Sequence, residues 1–233
     1  MKLAIITGAT KGLGRSLAEV FLQNGYMVLG TYHLEDAAAA EFTASSNKNN
    51  LPLHLLKADV ADTKCPEWLV QQISEMQPTE IVLVHNACAA FHPTPFHLTQ
   101  LQDFQAQWST SVHGPVMLTR ALLKQIVRVE KGAIVGILTT ALAEPQPSGF
   151  SAYLSAKAAL QSMLKSIANE MVSGSVKVFT VSPGFMDTPL TQAWHHALRK
   201  SAELYTTDVA NEVFRLVADT ATKGKGEDYP VIK

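Results

Sequence analysis

The sequence predicts an α/β protein: a doubly wound parallel sheet of about seven strands with helices on both faces. Two observations favour this class. Short apolar runs alternate with segments of helical periodicity along nearly the whole chain. The runs, for example 3–7 and 81–84, are almost continuously apolar, whereas a strand with one solvated face alternates apolar and polar residues. The strands are therefore expected to be buried on both faces.

Composition narrows the class of protein further. The 233 residues are 47% hydrophobic and 17% charged, which is typical of a globular protein, and we expect one domain over 1–233. The net charge of −1 provides no basic footprint for nucleic acid or an anionic membrane, and no run approaches the ~18 apolar residues of a membrane span. Cys65 and Cys88 lack metal-type spacing. We expect a cytoplasmic protein with no metal site.

The first strand leads into a glycine-rich turn. Residues 3–7 precede Gly8-Ala9-Thr10-Lys11-Gly12-Leu13-Gly14, and a helical pattern follows over 15–23. Glycines let the backbone approach a phosphate, and the N-terminus of the helix supplies N–H groups to bind it. The spacing differs from the usual G-x-G-x-x-G, so a tight turn without a ligand is an equally open interpretation of this motif alone.

The rest of the chain continues the alternation of strands and helices. We predict further strands over 26–32, 52–57, 81–84, 133–138, 176–181 and 229–232, and further helices over 35–45, 65–76, 98–130, from 151 onward, 192–204 and 208–220. In such sheets ligands bind at the carboxyl ends of the strands. The segments with distinctive residues all fall there, namely 8–14, 59–60, 86–87, 139–140 and 183–188. This clustering predicts a ligand site at one edge of the sheet.

Tyr153 and Lys157 lie in the Ala-rich helix that begins near Ser151. Four residues apart, they share one helix face. A free phenol titrates near ~10 and a lysine near ~10.4, but a neighbouring ammonium lowers the pKa of the tyrosine and makes its proton available. Taken alone, the motif favours a helix with an exposed Tyr and Lys, because Tyr-x-x-x-Lys occurs by chance in many proteins.

In this order and at these spacings, the motifs resemble the short-chain dehydrogenase/reductase family over nearly the whole chain. They are the turn 7–14, Asp59-Val60, Asn86-Ala87, a hydroxyl at 140, Tyr153-x-x-x-Lys157, and Pro183-Gly184 followed by Thr188. The resemblance implies a Rossmann-type sheet and NAD(P)-dependent oxidation or reduction of an alcohol/carbonyl pair. The tail over 226–232 is similar to the sepiapterin- and benzil-reductase-like branch.

The family mechanism implies a role for each matching residue. Tyr153 would donate the proton to the carbonyl oxygen, Lys157 would lower the Tyr153 pKa and bind the nicotinamide ribose, and Thr140 would hold the substrate oxygen. The cofactor contacts implied are Gly8, Thr10, Lys11, Gly12, Leu13, Gly14, His33, Asp59, Val60, Asn86, Ala87, Tyr153, Lys157, Pro183, Gly184 and Thr188.

Three positions depart from the family pattern. Thr140 replaces the usual serine, keeping the hydroxyl but adding a methyl group. Ser111 stands where an Asn-x-x-Gly asparagine usually kinks the long helix, so we include Ser111 among the catalytic residues as a proton relay, with His113 as an alternative. Cys88 replaces a glycine near the nicotinamide edge.

The cofactor preference can be predicted from charge. The second strand ends at Tyr32 without the carboxylate that binds a ribose 2′-hydroxyl, and none occurs before Glu35. Lys11, assisted by His33, can pair with a 2′-phosphate. We therefore expect NADP(H) to be preferred over NAD(H), although Lys11 is also compatible with a solvated surface charge.

The function predicted is that of an NADPH-dependent reductase of ketones, aldehydes or dicarbonyl compounds. Its partner is a small-molecule carbonyl or alcohol substrate, with neither nucleic acid nor membrane involved. The alternative is a non-catalytic NADP(H)-binding sensor or scaffold, which the changes at Ser111 and Cys88 favour. The family implies a homodimer or homotetramer and a substrate loop near 185–205, to which Trp194 belongs. His85 is expected to be packed rather than catalytic.

Overall fold

The computed structural model describes residues 1–143, 145–171, 176–194 and 204–232. Within them, seven strands form one sheet in the order β3-β2-β1-β4-β5-β6-β7, and every neighbouring pair is parallel. The strands are β1 (Lys2–Ile6), β2 (Tyr26–Tyr32), β3 (Leu53–Lys57), β4 (Glu80–His85), β5 (Lys131–Ile137), β6 (Val176–Pro183) and β7 (Lys225–Val231). The predicted fold class is confirmed.

Helices connect these strands and cover the sheet. They are α1 (Gly12–Gln23), α2 (Asp36–Lys48), α3 (Lys64–Met76), α4 (Leu101–Trp108), α5 (Gly114–Arg128), α6 (Ser151–Glu170) and α7 (Thr206–Ala218), with short 3-10 turns at Phe96–Leu98, Thr140–Leu142 and Gln192–Trp194. Of these, α1 and α7 pack on one face, and α3, α5 and α6 pack on the other. No helix in the described ranges is long and apolar enough to cross a membrane.

Each face of the sheet contributes to a separate hydrophobic core. Along β1, Ala4 and Ile6 pack against the α1 and α7 side, whereas Leu3 and Ile5 pack against the α3, α5 and α6 side. All four side chains are fully buried. Since successive side chains of a strand point to opposite faces, a strand covered on both sides must be apolar throughout. This explains the continuous apolar runs of the sequence.

The strand order reverses beside β1. The chain moves outward from β1 through β2 to β3, and then crosses back to β4 on the other side of β1. The loops that follow β1 and β4 therefore leave the sheet in opposite directions, and a crevice opens between them at the carboxyl edge. This is where the glycine-rich turn and Asn86 meet.

The helical stretch predicted over 98–130 is confirmed over 101–128, although the structure divides it into segments of different geometry. A π-helical segment, Ser109–His113, separates α4 from α5, and a 3-10 turn precedes α4. Pro115 gives the physical reason: it has no N–H to donate and its ring would crowd the carbonyl of residue 111 in a regular helix. The helix predicted over 192–204 is described only at Gln192–Trp194, a 3-10 turn, and 195–203 lie outside the described residues.

Candidate active site

A cavity of about 770 Å³ opens at the carboxyl ends of the strands. The loops after β1 to β6 all contribute to its wall. It brings together the following residues predicted from the sequence: Gly8, Thr10, Lys11, Gly12, Leu13, Gly14, His33, Asp59, Val60, Asn86, Ala87, Thr140, Tyr153, Lys157, Pro183, Gly184 and Thr188. Ser111 and its alternative as a relay, His113, do not line the cavity.

The glycine-rich turn depends on glycine for its backbone conformation and for one close approach. Gly8 and Gly12 have φ angles of +68° and +52°, in the left-handed region that favours glycine. A Cβ on Gly14 would lie 1.9 Å from the Gly8 carbonyl oxygen and 2.5 Å from Asn86 Nδ2. The backbone therefore forms a close cradle at the N-terminus of α1, with N–H groups available to an anion, and such a cradle fits the phosphates of a dinucleotide.

Asn86 and Thr7 hold the ends of β1 and β4 together beneath this cradle. Asn86 Nδ2 donates to the carbonyl oxygens of Thr7 (2.8 Å) and Gly8 (3.2 Å). The backbone N–H groups of Asn86 and Ala87 both donate to Thr7 Oγ1 at 3.0 Å. In this structure Asn86 therefore positions the turn, and its predicted contact with a cofactor stays a prediction.

Tyr153, near the start of α6, lies among three aromatic rings. Its ring stacks on Phe91 at 4.9 Å between centroids and 22° between planes, and it meets Trp194 and Phe150 edge to face at 5.6 and 6.2 Å. Only 5% of Tyr153 is exposed. The pKa of Tyr153 is raised by this burial and further by Cys88, while a hydrogen bond with the Thr139 side chain acts in the lowering direction. Tyr153 is thus protonated at neutral pH.

Lys157, one helical turn further along, is buried behind Tyr153. Its Nζ donates to the Ile137 carbonyl oxygen at 2.8 Å and lies 5.7 Å from the centre of the Tyr153 ring. Burial lowers the pKa of Lys157, and Cys88 partly opposes that change. The expectation that Lys157 brings the pKa of Tyr153 below its ordinary value is not met here, because burial of the phenol dominates.

Two adjacent threonines end β5 beside Tyr153. Thr140, the hydroxyl chosen from the sequence, lines the cavity. Thr139 also lines it, accepts a hydrogen bond from the Ala141 backbone N–H at 3.2 Å, and is the threonine whose side chain acts on Tyr153. Sequence reasoning missed Thr139. The signal was present in the pair of neighbouring hydroxyls, but the spacing rule selected only the second.

Ser111 lies behind the cavity wall rather than on it. It is 1% exposed, and its Oγ has no geometrically satisfactory hydrogen bond among the described residues. Thr110, in the same π-helical segment, lines the cavity, and His113 is exposed. The predicted relay through Ser111 or His113 therefore has no support from this geometry. The extra residue of the π turn changes which side chain faces the cavity.

Cys88 and Gln107 hold the loop after β4 against α4. Cys88 lines the cavity, and its Sγ lies 3.4 Å from the Ala89 carbonyl oxygen and 3.5 Å from Gln107 Oε1. Gln107 is buried, and its Nε2 donates to the same Ala89 oxygen at 2.8 Å. Burial raises the pKa of Cys88, with Lys157 and Ser111 acting in the opposite direction. The thiol is therefore a neutral packing group here.

Charged side chains gather at the opposite end of the cavity, beside β2 and β3. Lys11 Nζ forms a close ion pair with Glu35 Oε1, and both residues line the cavity. His33 Nδ1 lies 4.0 Å from Asp59 Oδ2. The sequence suggested no role for Glu35, because it follows the end of β2 by three residues and its approach to Lys11 depends on the loop conformation.

His85 packs beneath the site, as expected. It is 2% exposed and does not line the cavity. Its Nε2 makes a 2.8 Å hydrogen bond with Thr119 Oγ1, and its Nδ1 has no partner among the described residues. Burial, reinforced by the charge of Lys157, lowers the pKa of His85 to about 3, so the ring is neutral at pH 7.

Comparisons with known proteins agree with this architecture. The short chain dehydrogenase family model matches residues 2–199. Sulfoacetaldehyde reductase 2 of Chromohalobacter salexigens is 29% identical over 221 residues, which cover 91% of this chain and 86% of that protein.

Solved structures share the fold over almost the whole chain. A short chain dehydrogenase of Burkholderia cenocepacia in complex with NADP superposes with a TM-score of 0.86 at 23% identity, covering 99% of this chain and 96% of that one. A 3-ketoacyl-(acyl-carrier-protein) reductase of Brucella melitensis complexed with NADH gives 0.85 at 22% identity, with the same coverage. Placement in the sepiapterin- and benzil-reductase-like branch stays a prediction. Because the family model covers most of the sequence and the fold agrees, the chain belongs to the short-chain dehydrogenase family of oxidoreductases.

Proposed function

We propose that this protein is an NADPH-dependent reductase of ketones, aldehydes or dicarbonyl compounds, with Tyr153 as the proton donor. The observation that carries the proposal is a buried, protonated tyrosine that shares one cavity with Lys157 and the glycine-rich cradle. A reductase needs an acid at the carbonyl oxygen, and the phenol of Tyr153 is a proton donor on the cavity wall with the Lys157 ammonium near its ring to stabilise the phenolate that proton transfer leaves.

The nicotinamide, when bound, supplies the hydride to the carbonyl carbon. Tyr153 donates its hydroxyl proton to the carbonyl oxygen, which completes the alcohol and leaves a phenolate. Lys157, held by the Ile137 carbonyl at 2.8 Å, places a positive charge near that phenolate and stabilises it. Thr140 and Thr139 offer hydroxyls at the end of β5 to orient the carbonyl. Solvent then returns the proton to Tyr153.

The wall around Tyr153 favours substrates with an apolar substituent. The apolar residues that share a cluster with Tyr153 and line the cavity are Ala141, Phe150, Phe185, Leu190 and Trp194. The charged residues of the cavity other than Lys157 lie in the loops after β1, β2 and β3, at the end assigned to the adenosine half of the cofactor. An aryl or alkyl ketone or aldehyde would bury its apolar surface against this wall.

The test is NADPH consumption by the purified protein against ketones, aldehydes and diketones of graded apolarity, with Tyr153→Phe alongside. We expect turnover to fall by about 10²- to 10⁴-fold in this variant, the usual contribution of a positioned acid, while NADPH binding is retained. Tyr229→Phe, on β7, is the matched control and should retain turnover. Tight NADPH binding without turnover on any carbonyl would favour the sensor instead.

Three further parts of the proposal concern the whole protein. We propose that 1–233 form one domain, with the substrate loop near 185–205, much of which lies outside the described residues. We also propose a cytoplasmic homodimer or homotetramer. The support for self-association is a group of exposed apolar side chains at α4 and the 3-10 turn before it.

A further inference from the structure

An ion pair links the two loops that would hold the adenosine half of a dinucleotide. Lys11 lies in the glycine-rich turn immediately before α1, and Glu35 lies between β2 and α2. Lys11 Nζ donates directly to Glu35 Oε1, and both residues line the cavity. The cation predicted from the sequence to bind a 2′-phosphate is therefore engaged by a carboxylate of the same chain.

Both partners remain within reach of a ligand. The side chains of Lys11 and Glu35 are 51% and 31% exposed. Partial burial raises the pKa of Glu35, but the ion pair with Lys11 outweighs it and leaves the pKa below its ordinary value. Glu35 is thus ionised at neutral pH, and its negative charge lies where a phosphate would approach Lys11.

We propose that Glu35 sets the choice between NADPH and NADH by competing with the 2′-phosphate for Lys11. A phosphate monoester carries about −1.5 to −2 charges at pH 7. It must displace the Glu35 carboxylate from Lys11 or lie beside it, and either step weakens the binding of NADPH. NADH has a neutral hydroxyl at this position, which pays no such penalty. The inference rests on the proposed function, because it presumes a nicotinamide cofactor in this cavity.

The neighbouring charges do not remove the penalty. Asp59 also lines the cavity, and His33 lies 4.0 Å from it, so the histidine faces a carboxylate of its own. Lys11 is therefore the cation of the glycine-rich turn for which Glu35 and a phosphate compete. We therefore expect the preference of this protein for NADPH over NADH to be weaker than it would be if Lys11 had no carboxylate partner.

A second ion pair provides a matched control. Arg15 of α1 pairs with Glu41 of α2. Like Lys11 and Glu35, these residues form a cation–carboxylate pair between the α1 and α2 regions. Neither Arg15 nor Glu41 lines the cavity. Exposed ion pairs usually contribute little to stability, so removing either glutamate should leave the protein folded.

The experiment measures direct binding of NADPH and NADH, followed by nicotinamide fluorescence, to the wild type, Glu35→Gln, Lys11→Met and Glu41→Gln. We expect Glu35→Gln to tighten NADPH about tenfold, with NADH changing less than about threefold, because only NADPH places a second negative charge beside Glu35. Lys11→Met should weaken NADPH about tenfold. Glu41→Gln should leave the ratio of the two dissociation constants unchanged.

Three outcomes overturn the inference. An unchanged NADPH/NADH ratio in Glu35→Gln means that Glu35 does not compete with the phosphate. Weaker NADH binding with unchanged NADPH binding means that Glu35 instead accepts a ribose hydroxyl. If Glu41→Gln tightens NADPH binding as much as Glu35→Gln does, the effect comes from the net charge of the protein and not from the position of Glu35. If the wild type binds neither nucleotide, the proposed function falls together with this inference, whereas the first three results leave the proposed function intact.

Discussion

The protonation of Tyr153 depends on packing as much as on charge. Phe91, Phe150 and Trp194 surround its ring and remove it from water, which favours the neutral phenol. Trp194 is itself fixed, since its Nε1 donates to the Phe91 carbonyl oxygen at 3.0 Å. The buried phenol therefore stays neutral, and in the mechanism that we propose Lys157 would act chiefly on the phenolate left after proton transfer.

His85 predicts how stability changes with pH. Its pKa in the folded protein is about 3, whereas the unfolded value is near ~6.5. Below pH ~6.5 the unfolded chain therefore binds a proton that the folded protein does not, and His85 lowers the stability by up to about 1.4 kcal/mol per pH unit as the pH falls towards 3. Chemical denaturation between pH 7 and pH 4 should show this loss.

Replacement of the ring isolates its contribution. His85→Gln keeps a polar group near Thr119 but removes the titrating ring, so its stability should fall less steeply with acid than that of the wild type. His54→Gln on β3 is the control, because His54 is exposed. Equal slopes for the wild type and His85→Gln would show that His85 does not remain neutral in the folded protein.

At the scale of elements, the start of α5, directly after the π-helical segment, packs against the loop that follows β3. Immediately after this segment, Gly114 begins α5 against the loop that follows β3. A Cβ on Gly114 would lie 3.0 Å from Val60 Cγ2 and 3.1 Å from the Val60 carbonyl oxygen. Val60 lines the cavity, so the glycine permits a close approach that places Val60 correctly.

Gly114→Ala should therefore weaken nucleotide binding without removing a group that touches the nucleotide. The added methyl group pushes Val60 by a few tenths of an ångström, and we expect a loss of about two- to fivefold in NADPH affinity, below 1 kcal/mol. Titration by nicotinamide fluorescence measures it. In the double variant Gly114→Ala/Val60→Ala the smaller side chain makes room, and the affinity should recover part of the loss. If Gly114→Ala lowers the affinity as much in the Val60→Ala background as in the wild type, this mechanism is contradicted.

Elements were more predictable from the sequence than the contacts between them. Apolar runs such as 81–84 and the glycine-rich turn follow from local rules, because a doubly covered strand must be apolar and a phosphate cradle needs glycine. The π-helical segment Ser109–His113 includes Ser111, the position where the resemblance places a kink in the long helix, although this chain has no asparagine there. Pro115 supplies a local cause of the irregularity.

Within the candidate site, local motifs were sufficient for Tyr153 and Lys157, which are neighbours on one helix. They were insufficient for Glu35, 24 residues from Lys11, and for Trp194, 103 residues from Phe91, because these contacts depend on how loops meet after folding. Ser111 shows a third limit, because one extra residue in a helical turn changes the face on which a side chain lies.

At the scale of the whole molecule, apolar side chains are exposed at α4 and the turn before it. Phe96, Leu98, Leu101 and Trp108 are 73%, 56%, 69% and 43% exposed. They fall within 13 consecutive residues (96–108), whereas exposed apolar side chains elsewhere are more scattered. Exposed apolar side chains that gather in one region are typical of a site of protein association. We therefore expect α4 to contribute to a subunit interface.

Charged substitutions on this surface should shift the protein to a smaller assembly. In Leu101→Glu each subunit would place a carboxylate in the interface, where its desolvation costs several kcal/mol unless it is paired. Sedimentation velocity at micromolar concentration should show a dimer or tetramer for the wild type and a lower mass for the variant. Leu34→Glu, at a leucine that is 74% exposed beyond β2, is the control and should assemble as the wild type does.

An assembly through α4 would affect the cavity, because α4 also supports the cavity wall. Gln107 of α4 donates to the Ala89 carbonyl oxygen, and Trp108 Nε1 donates to Ser155 Oγ in α6, the helix that carries Tyr153. Separation of the subunits would remove support from α4, which contacts both the loop of Cys88 and α6. We therefore expect the Leu101→Glu protein to form a smaller assembly and to reduce carbonyl substrates more slowly than the wild type. A variant that is fully monomeric but reduces carbonyls at the wild-type rate would show that α4 is held well enough within one subunit.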